Sequence, residues 1–315
     1  MQLSGLHHLT AISADIKANR AFYTGVLGLR LVKKSINQDD VKAYHLYYAD
    51  GLGSPGSDIT FFDWQREPER RGTGSISRTS LRVADAASLA WWHAHLSRAG
   101  VSVGEFAERD GRQTFDFEDP EGQRLAVVLD AEAGPGHPWE KSPVPPQHQI
   151  RGIGPVTLCV ADLAPTDRLL GEALNMRPLH DYRDPCDGKI NVHVYTMGAG
   201  GAAAELHVAV APDLPRAQEG AGGAHHVALR TPDDEQYAAW AERLDAAGVR
   251  NSGKIDRYYF RSLYFRDPNG ILFEIATDGP GFTTDEPVES LGRRLSIPPF
   301  LEARRAEIEA GLKPI

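Results

Sequence analysis

Apolar positions along the chain fall into short runs with two alternating periods. His226-Val227-Ala228-Leu229-Arg230 reads as a short strand. Beyond it, Tyr237, Trp240, Leu244 and Ala247 recur at intervals of three and four, the stripe of an amphipathic helix. Asp233 or Asp234 can cap the start of that helix, and Gly248 stops it. β-rich segments at 258–265 and 271–276 follow, separated by the turn Asp267-Pro268-Asn269-Gly270. The unit is a strand, a helix, then about three strands. The first part of the chain predicts the same order, with a helix near 17–27 and strands around 31–35, 43–48 and 59–62.

The pattern repeats. Residues 81–128 superimpose on 229–276 without a gap: Leu81 on Leu229, Trp92 on Trp240, Leu96 on Leu244, Ala99-Gly100-Val101 on Ala247-Gly248-Val249, Arg109 on Arg257, and Asp119-Pro120 on Asp267-Pro268. A weaker match relates Gly5, Thr10, Asp15, Leu27 and Arg30 to Gly152, Thr157, Asp162, Leu174 and Arg177. The organisation is therefore module 1 at 1–70, module 2 at 71–130, module 3 at 151–215 and module 4 at 216–280. A proline-rich linker at 131–150 separates the halves, and a tail occupies 281–315. The fold class expected is α+β, four βαβββ modules building two open mixed β-barrels. In the tail, 298–312 reads as a helix started by proline, with Leu301, Arg305, Ile308 and Leu312 on a related face. It serves equally as a cap on the domain or as a contact in a homo-oligomer.

Composition narrows the function. The 315 residues carry 34 Lys plus Arg against 43 Asp plus Glu, a net charge of −9. A field of that sign does not hold nucleic acid or an anionic membrane. No apolar run approaches the length of a membrane span, and the N-terminus lacks a secretory pattern. With only Cys159 and Cys186, neither a disulfide framework nor a Cys-rich zinc site is expected, and the default compartment is a reducing cytoplasm.

Histidine changes the picture. Four of the 12 histidines stand as two pairs, His7-His8 and His225-His226. At the equivalent first-strand position the four modules carry His8, Arg78, Pro155 and His226. On the last strand, Glu274 of module 4 corresponds to Ala126 of module 2. A carboxylate inside the run Ile271-Leu272-Phe273-Glu274-Ile275-Ala276 is costly to bury unless a cation meets it. Two imidazoles and one carboxylate form the facial triad of non-haem Fe(II) enzymes, which leaves positions open for substrate and dioxygen. Side chains alternate along a strand, so one histidine of each pair ligates and the other lies beside it, though spacing does not say which. Glu205 and His207 are rival ligands, ranked lower because their module carries Pro155 on its first strand.

Gly5-Leu6-His7-His8-Leu9-Thr10, Tyr44-His45-Leu46-Tyr47-Tyr48-Ala49-Asp50, Gly53-Ser54-Pro55-Gly56-Ser57, Ala224-His225-His226, Arg257-Tyr258-Tyr259-Phe260 and residues 279–285 together carry a family resemblance. The chain resembles the vicinal oxygen chelate superfamily, which includes glyoxalases, bleomycin-resistance proteins and dioxygenases. More closely it is similar to hydroquinone ring-cleaving dioxygenases of the 2,6-dichlorohydroquinone 1,2-dioxygenase type. The resemblance implies Fe(II), with Mn(II) or Zn(II) ranked behind it, held by His8, His226 and Glu274. It also implies that His7, Thr10, His225, Arg257 and Tyr264 surround the metal. The implied partners are a small aromatic substrate and O2.

Catechol-cleaving relatives place a histidine at the start of module 3, where this chain has Gly154-Pro155. The resemblance therefore implies that modules 1 and 4 share the metal-containing barrel. Other readings are a catechol extradiol dioxygenase, a glyoxalase-like metal-dependent isomerase or transferase, and a non-enzymatic drug-binding resistance protein. The resistance protein would leave two His-His pairs unexplained.

Overall fold

The computed structural model describes residues 1–315. Its strands come in four sets of four. Module 1 contains β1 (Leu6–Ser13), β2 (Arg30–Ile36), β3 (Tyr44–Ala49) and β4 (Asp58–Asp63). Module 2 contains β5 (Ser75–Val83), β6 (Ala107–Arg109), β7 (Arg112–Glu118) and β8 (Arg124–Leu129). Module 3 contains β9 (Ile153–Val160), β10 (Arg177–Arg183), β11 (Asn191–Thr196) and β12 (Glu205–Val210), and module 4 contains β13 (Ala224–Thr231), β14 (Ile255–Asp256), β15 (Phe260–Arg266) and β16 (Leu272–Pro280).

One helix follows the first strand of each module: α1 (Ile16–Ala21), α2 (Ala86–Arg98), α3 (Leu163–Arg168) and α4 (Asp234–Ala246). Asp233 caps α4 by accepting from the Gln236 amide, and Gly248 beyond its end has φ +70°, a conformation glycine adopts without a Cβ penalty. The helix expected near 17–27 is present as α1 continuing into a widened π turn, Phe22–Val26. In the tail, the helix expected over 298–312 is split. A 3-10 stretch, Pro299–Arg304, precedes α5 (Arg305–Gly311), 3-10 turns being common at the start of α-helices.

The strands form two eight-stranded mixed sheets. One runs β14-β15-β16-β13-β1-β4-β3-β2, and the other β10-β11-β12-β9-β5-β8-β7-β6. Modules 1 and 4 thus share one curled sheet, and modules 2 and 3 the other. The first sheet is sealed at its centre by antiparallel pairing of β1 with β13, with His8 opposite Ala228 and Thr10 opposite His226. That register relates the two strands by a local twofold and brings the chain's opposite ends to one seam.

Trp92 and Trp240, equivalent in the repeat, are fully buried beneath the helices, and one apolar cluster extends from Leu9 to Leu158 across both sheets. The tail straps the outer strand β2: Ser296 donates its amide to the Lys34 carbonyl at 2.8 Å. Lys33, fully buried, reaches Asp285 at 2.7 Å and Glu286 at 2.5 Å. No helix is long and apolar enough to cross a membrane.

Candidate metal centre

His8 lies on β1, His226 on β13 and Glu274 on β16, three neighbouring strands of the first sheet. Period-two alternation turns all three side chains to the concave face. Each is at most 2% exposed. Glu274 Oε2 stands 3.2 Å from His8 Nε2 and 2.9 Å from His226 Nε2. Glu274 Oε2 and His226 Nε2 nevertheless have no hydrogen-bond partner of acceptable geometry. Buried polar atoms are rarely left unmatched. Here a lone pair and a carboxylate oxygen converge on a common space, and a cation placed there would satisfy both.

The neighbouring histidines fix which nitrogen faces that space. His7 Nε2 is 3.1 Å from the Thr277 carbonyl, which can only accept, so Nε2 carries the proton. His7 Nδ1 must then accept from His8 Nδ1, 2.8 Å away, leaving His8 Nε2 as a bare lone pair. The same contact joins His225 Nδ1 and His226 Nδ1 at 2.7 Å. Burial, and next the adjacent His8, push the His7 imidazole down to about 3. Burial, and next His226, do the same to His225, also to about 3. Both rings stay neutral near pH 7. Burial alone would raise Glu274; protonated His8 and His226 would outweigh it and hold the carboxyl well below its usual range, a role a bound cation would take over when both rings are neutral. Its other oxygen accepts from Ser262 Oγ at 2.5 Å.

A cavity of about 360 Å³, mouth included, opens in front of this cluster and is lined by His8, His226, Phe62, Phe260, Tyr264 and Arg257, among others. The Tyr264 ring lies 5.6 Å from the His226 ring, and the Arg257 guanidinium sits over Tyr264 at 5.4 Å. Burial, and next Glu274, raise the Tyr264 phenol well above its ordinary value, so it remains a donor. Asp39 anchors Arg257 at 2.8 Å across the mouth. Thr10 is fully buried behind the wall, where its hydroxyl meets Thr60 Oγ1 at 2.8 Å.

The structure thus brings His8, His226 and Glu274 together, sets His7 and His225 against them, and places Tyr264 and Arg257 on the cavity wall. Thr10 is one hydrogen bond further away.

Several wall residues were not singled out from the sequence. His45 Nε2 is 2.9 Å from Thr60 Oγ1, and its Nδ1 meets the Tyr47 hydroxyl at 2.7 Å. Thr60 pairs with Tyr47 as Glu274 pairs with Tyr264, so Thr60 is the module 1 counterpart of the carboxylate. The rival ligands Glu205 and His207 do approach Asp110 in the second sheet. Arg112 occupies that cluster, with NH1 2.6 Å from both Glu205 and Asp110 and NH2 2.9 Å from Glu205. A guanidinium already supplies the positive charge there.

The Glyoxalase/Bleomycin resistance protein/Dioxygenase superfamily model matches residues 5–127 and 152–275. The chain is 45% identical over 317 residues to a Bacillus subtilis (strain 168) protein named "Putative ring-cleaving dioxygenase MhqA", covering 100% of both chains. It is 33% identical to the chlorohydroquinone/hydroquinone 1,2-dioxygenase of Sphingobium indicum, covering 98% of this chain and 95% of that one. A crystal structure described as "putative dioxygenase from Bacillus subtilis subsp. subtilis str. 168" superimposes with a TM-score of 0.92 at 36% identity, covering 100% of this chain and 98% of that one. Glyoxalase I from Zea mays shares the fold, with a TM-score of 0.63 at 16% identity over 87% of this chain and 92% of that one.

Proposed function

Since the chain belongs to the glyoxalase/bleomycin resistance protein/dioxygenase superfamily, and is an enzyme of its ring-cleaving dioxygenase branch, we propose that it is an Fe(II)-dependent dioxygenase that opens hydroquinone-type rings with O2. One observation carries the reading. His8 Nε2, His226 Nε2 and Glu274 Oε2 converge in a buried pocket, and the His7 and His225 contacts support an imidazole orientation suited to a metal. Iron bound there would supply Lewis-acid positions for a phenolate oxygen and O2, and the electronic link between them.

The remaining tasks fall to the protein. Glu274 offsets one unit of the cation's charge, and Ser262 holds its outer oxygen so that Oε2 stays aimed inward. Phe62 and Phe260 give the ring flat apolar walls. A hydroquinone carries its hydroxyls at opposite ends of the ring, so only one can reach the metal. The far hydroxyl needs a polar partner on the wall, where Tyr264, Arg257 and Gln38 stand. Tyr264, kept protonated, can donate a proton as the ring opens, while Arg257 places positive charge beside the acid that forms. Thr60, where a second carboxylate would complete a two-carboxylate site, is tied to Thr10 and His45. That arrangement weighs against a glyoxalase-like isomerase.

Metal analysis of the purified protein, followed by oxygen-electrode assays with hydroquinone and catechol, tests the reading. Iron content with hydroquinone-dependent oxygen uptake supports it. A zinc-loaded protein without oxygen uptake refutes it.

A further inference from the structure

The second sheet repeats the geometry of the first with the chemistry inverted. Arg78 on β5 stands at the position of His226, Pro155 on β9 at that of His8, and Ala126 on β8 at that of Glu274. A narrow cleft lies there, and Arg78, Arg109, Arg112, Ser80, Thr157 and His207 form most of its wall. No carboxylate lines it. The acids stand behind: Asp116 clasps Arg109 at 2.8 and 2.6 Å, Glu205 clasps Arg112 at 2.6 and 2.9 Å, and Asp110 lies 2.6 Å from Arg112 and 3.8 Å from His207 Nε2.

Arg78 is held more loosely. Its NH2 is 3.4 Å from Thr157 Oγ1, and its nearest carboxylates, Asp184 and Asp116, are 3.8 and 3.9 Å away. Arg109, only 7% exposed, has an Nε with no hydrogen-bond partner. Two guanidiniums thus retain donor capacity at a wall of cations and hydroxyls. Carboxylates behind that wall fix the arginines instead of competing for the space. Arg78 also borders the open surface groove beside Ser77 and Arg124.

We propose that this cavity is a binding site for a small organic carboxylate, seated on Arg78 with Arg109 and Thr157 as further donors. A planar carboxylate matches the fork of a guanidinium with two parallel hydrogen bonds. The site needs no metal and is independent of the reading of the first sheet.

Isothermal titration calorimetry of the intact protein with maleate, at low ionic strength, tests it. Wild type binds, neutral fumaramide does not, Arg78→Gln weakens maleate binding by about tenfold or more, and Glu274→Gln leaves it in place. Absence of binding to wild type at tens of millimolar overturns the proposal. So does unchanged affinity in Arg78→Gln, or loss of binding in Glu274→Gln, which would put the anion at the first-sheet site. Should Arg78→Gln fail to fold, Arg78→Lys carries the test: an ammonium cannot bind in the bidentate mode, so unchanged affinity there is equally fatal.

Discussion

Replacing His7 with Phe isolates the role of a residue that would not itself touch the metal. His7 is 3% exposed, packs against Phe260 at 5.3 Å between ring centroids, and links the Thr277 carbonyl to His8 Nδ1 at 3.1 and 2.8 Å. Phenylalanine keeps the ring and the packing but removes both hydrogen bonds. Two buried polar groups then lose their partners, at about 1–3 kcal/mol each. The His8 ring is also freed to carry its proton on Nε2, the nitrogen needed for ligation. Loss of such an outer partner typically weakens metal binding by about 10–100-fold, or roughly 1.4–2.7 kcal/mol.

His225→Phe provides the contrast. That side chain is 18% exposed, and its Nε2 has only Glu219 at 3.9 Å, so one hydrogen bond is lost where His7→Phe loses two. Chelator competition should show weakened metal binding in both variants, and thermal melts of the metal-free proteins should show the larger loss in His7→Phe. Wild-type metal affinity in His7→Phe would refute the orienting role.

Three further outcomes are expected. Lys33→Met leaves Asp285 and Glu286 with only the more distant Arg294, at 3.8 and 3.7 Å, as a cation and should destabilise the protein by about 3 kcal/mol in denaturant melts, with earlier proteolysis in 281–297. Tyr264→Phe should lower kcat by about 100-fold or more in oxygen-uptake assays while the melting temperature holds, because the hydroxyl serves the cavity and not the core. Glu205, although burial opposes its charge, is held down to about 2 by His207 and Arg112. Its folded pKa lies below the unfolded one, so its stabilisation is complete above about pH 4.5 and is lost as pH falls toward 2. That loss amounts to at most about 3 kcal/mol, and wild type should lose its advantage over Glu205→Gln across that window in melts.

The repeat made most of the architecture legible. Equivalent tryptophans, Asp-Pro turns and strand starts recur at nearly constant spacing, because each module must bury the same helix on the same sheet. The odd placement of Glu274 within an apolar strand was readable for the same reason: burial makes an unpaired carboxylate conspicuous. The role of Thr60 was hidden. Loops of unequal length separate the strands of modules 1 and 4, so only the strand pairing shows Thr60 at the position equivalent to Glu274. His45 and Tyr47 were hidden too, since Tyr44-His45-Leu46-Tyr47-Tyr48 is aromatic on both faces and its pattern does not mark the one turned inward. Arg112 was beyond reach because its partners come from module 3 and from the turn before β7.

Incorporation of labelled oxygen tests the central claim most directly. With hydroquinone, ¹⁸O2 and iron-loaded protein, mass spectrometry should find both labelled atoms in the ring-opened acid, after correction for exchange with water, and no product from Glu274→Ala. Labelled product from Glu274→Ala, or an unlabelled or intact-ring product from wild type, would contradict the account.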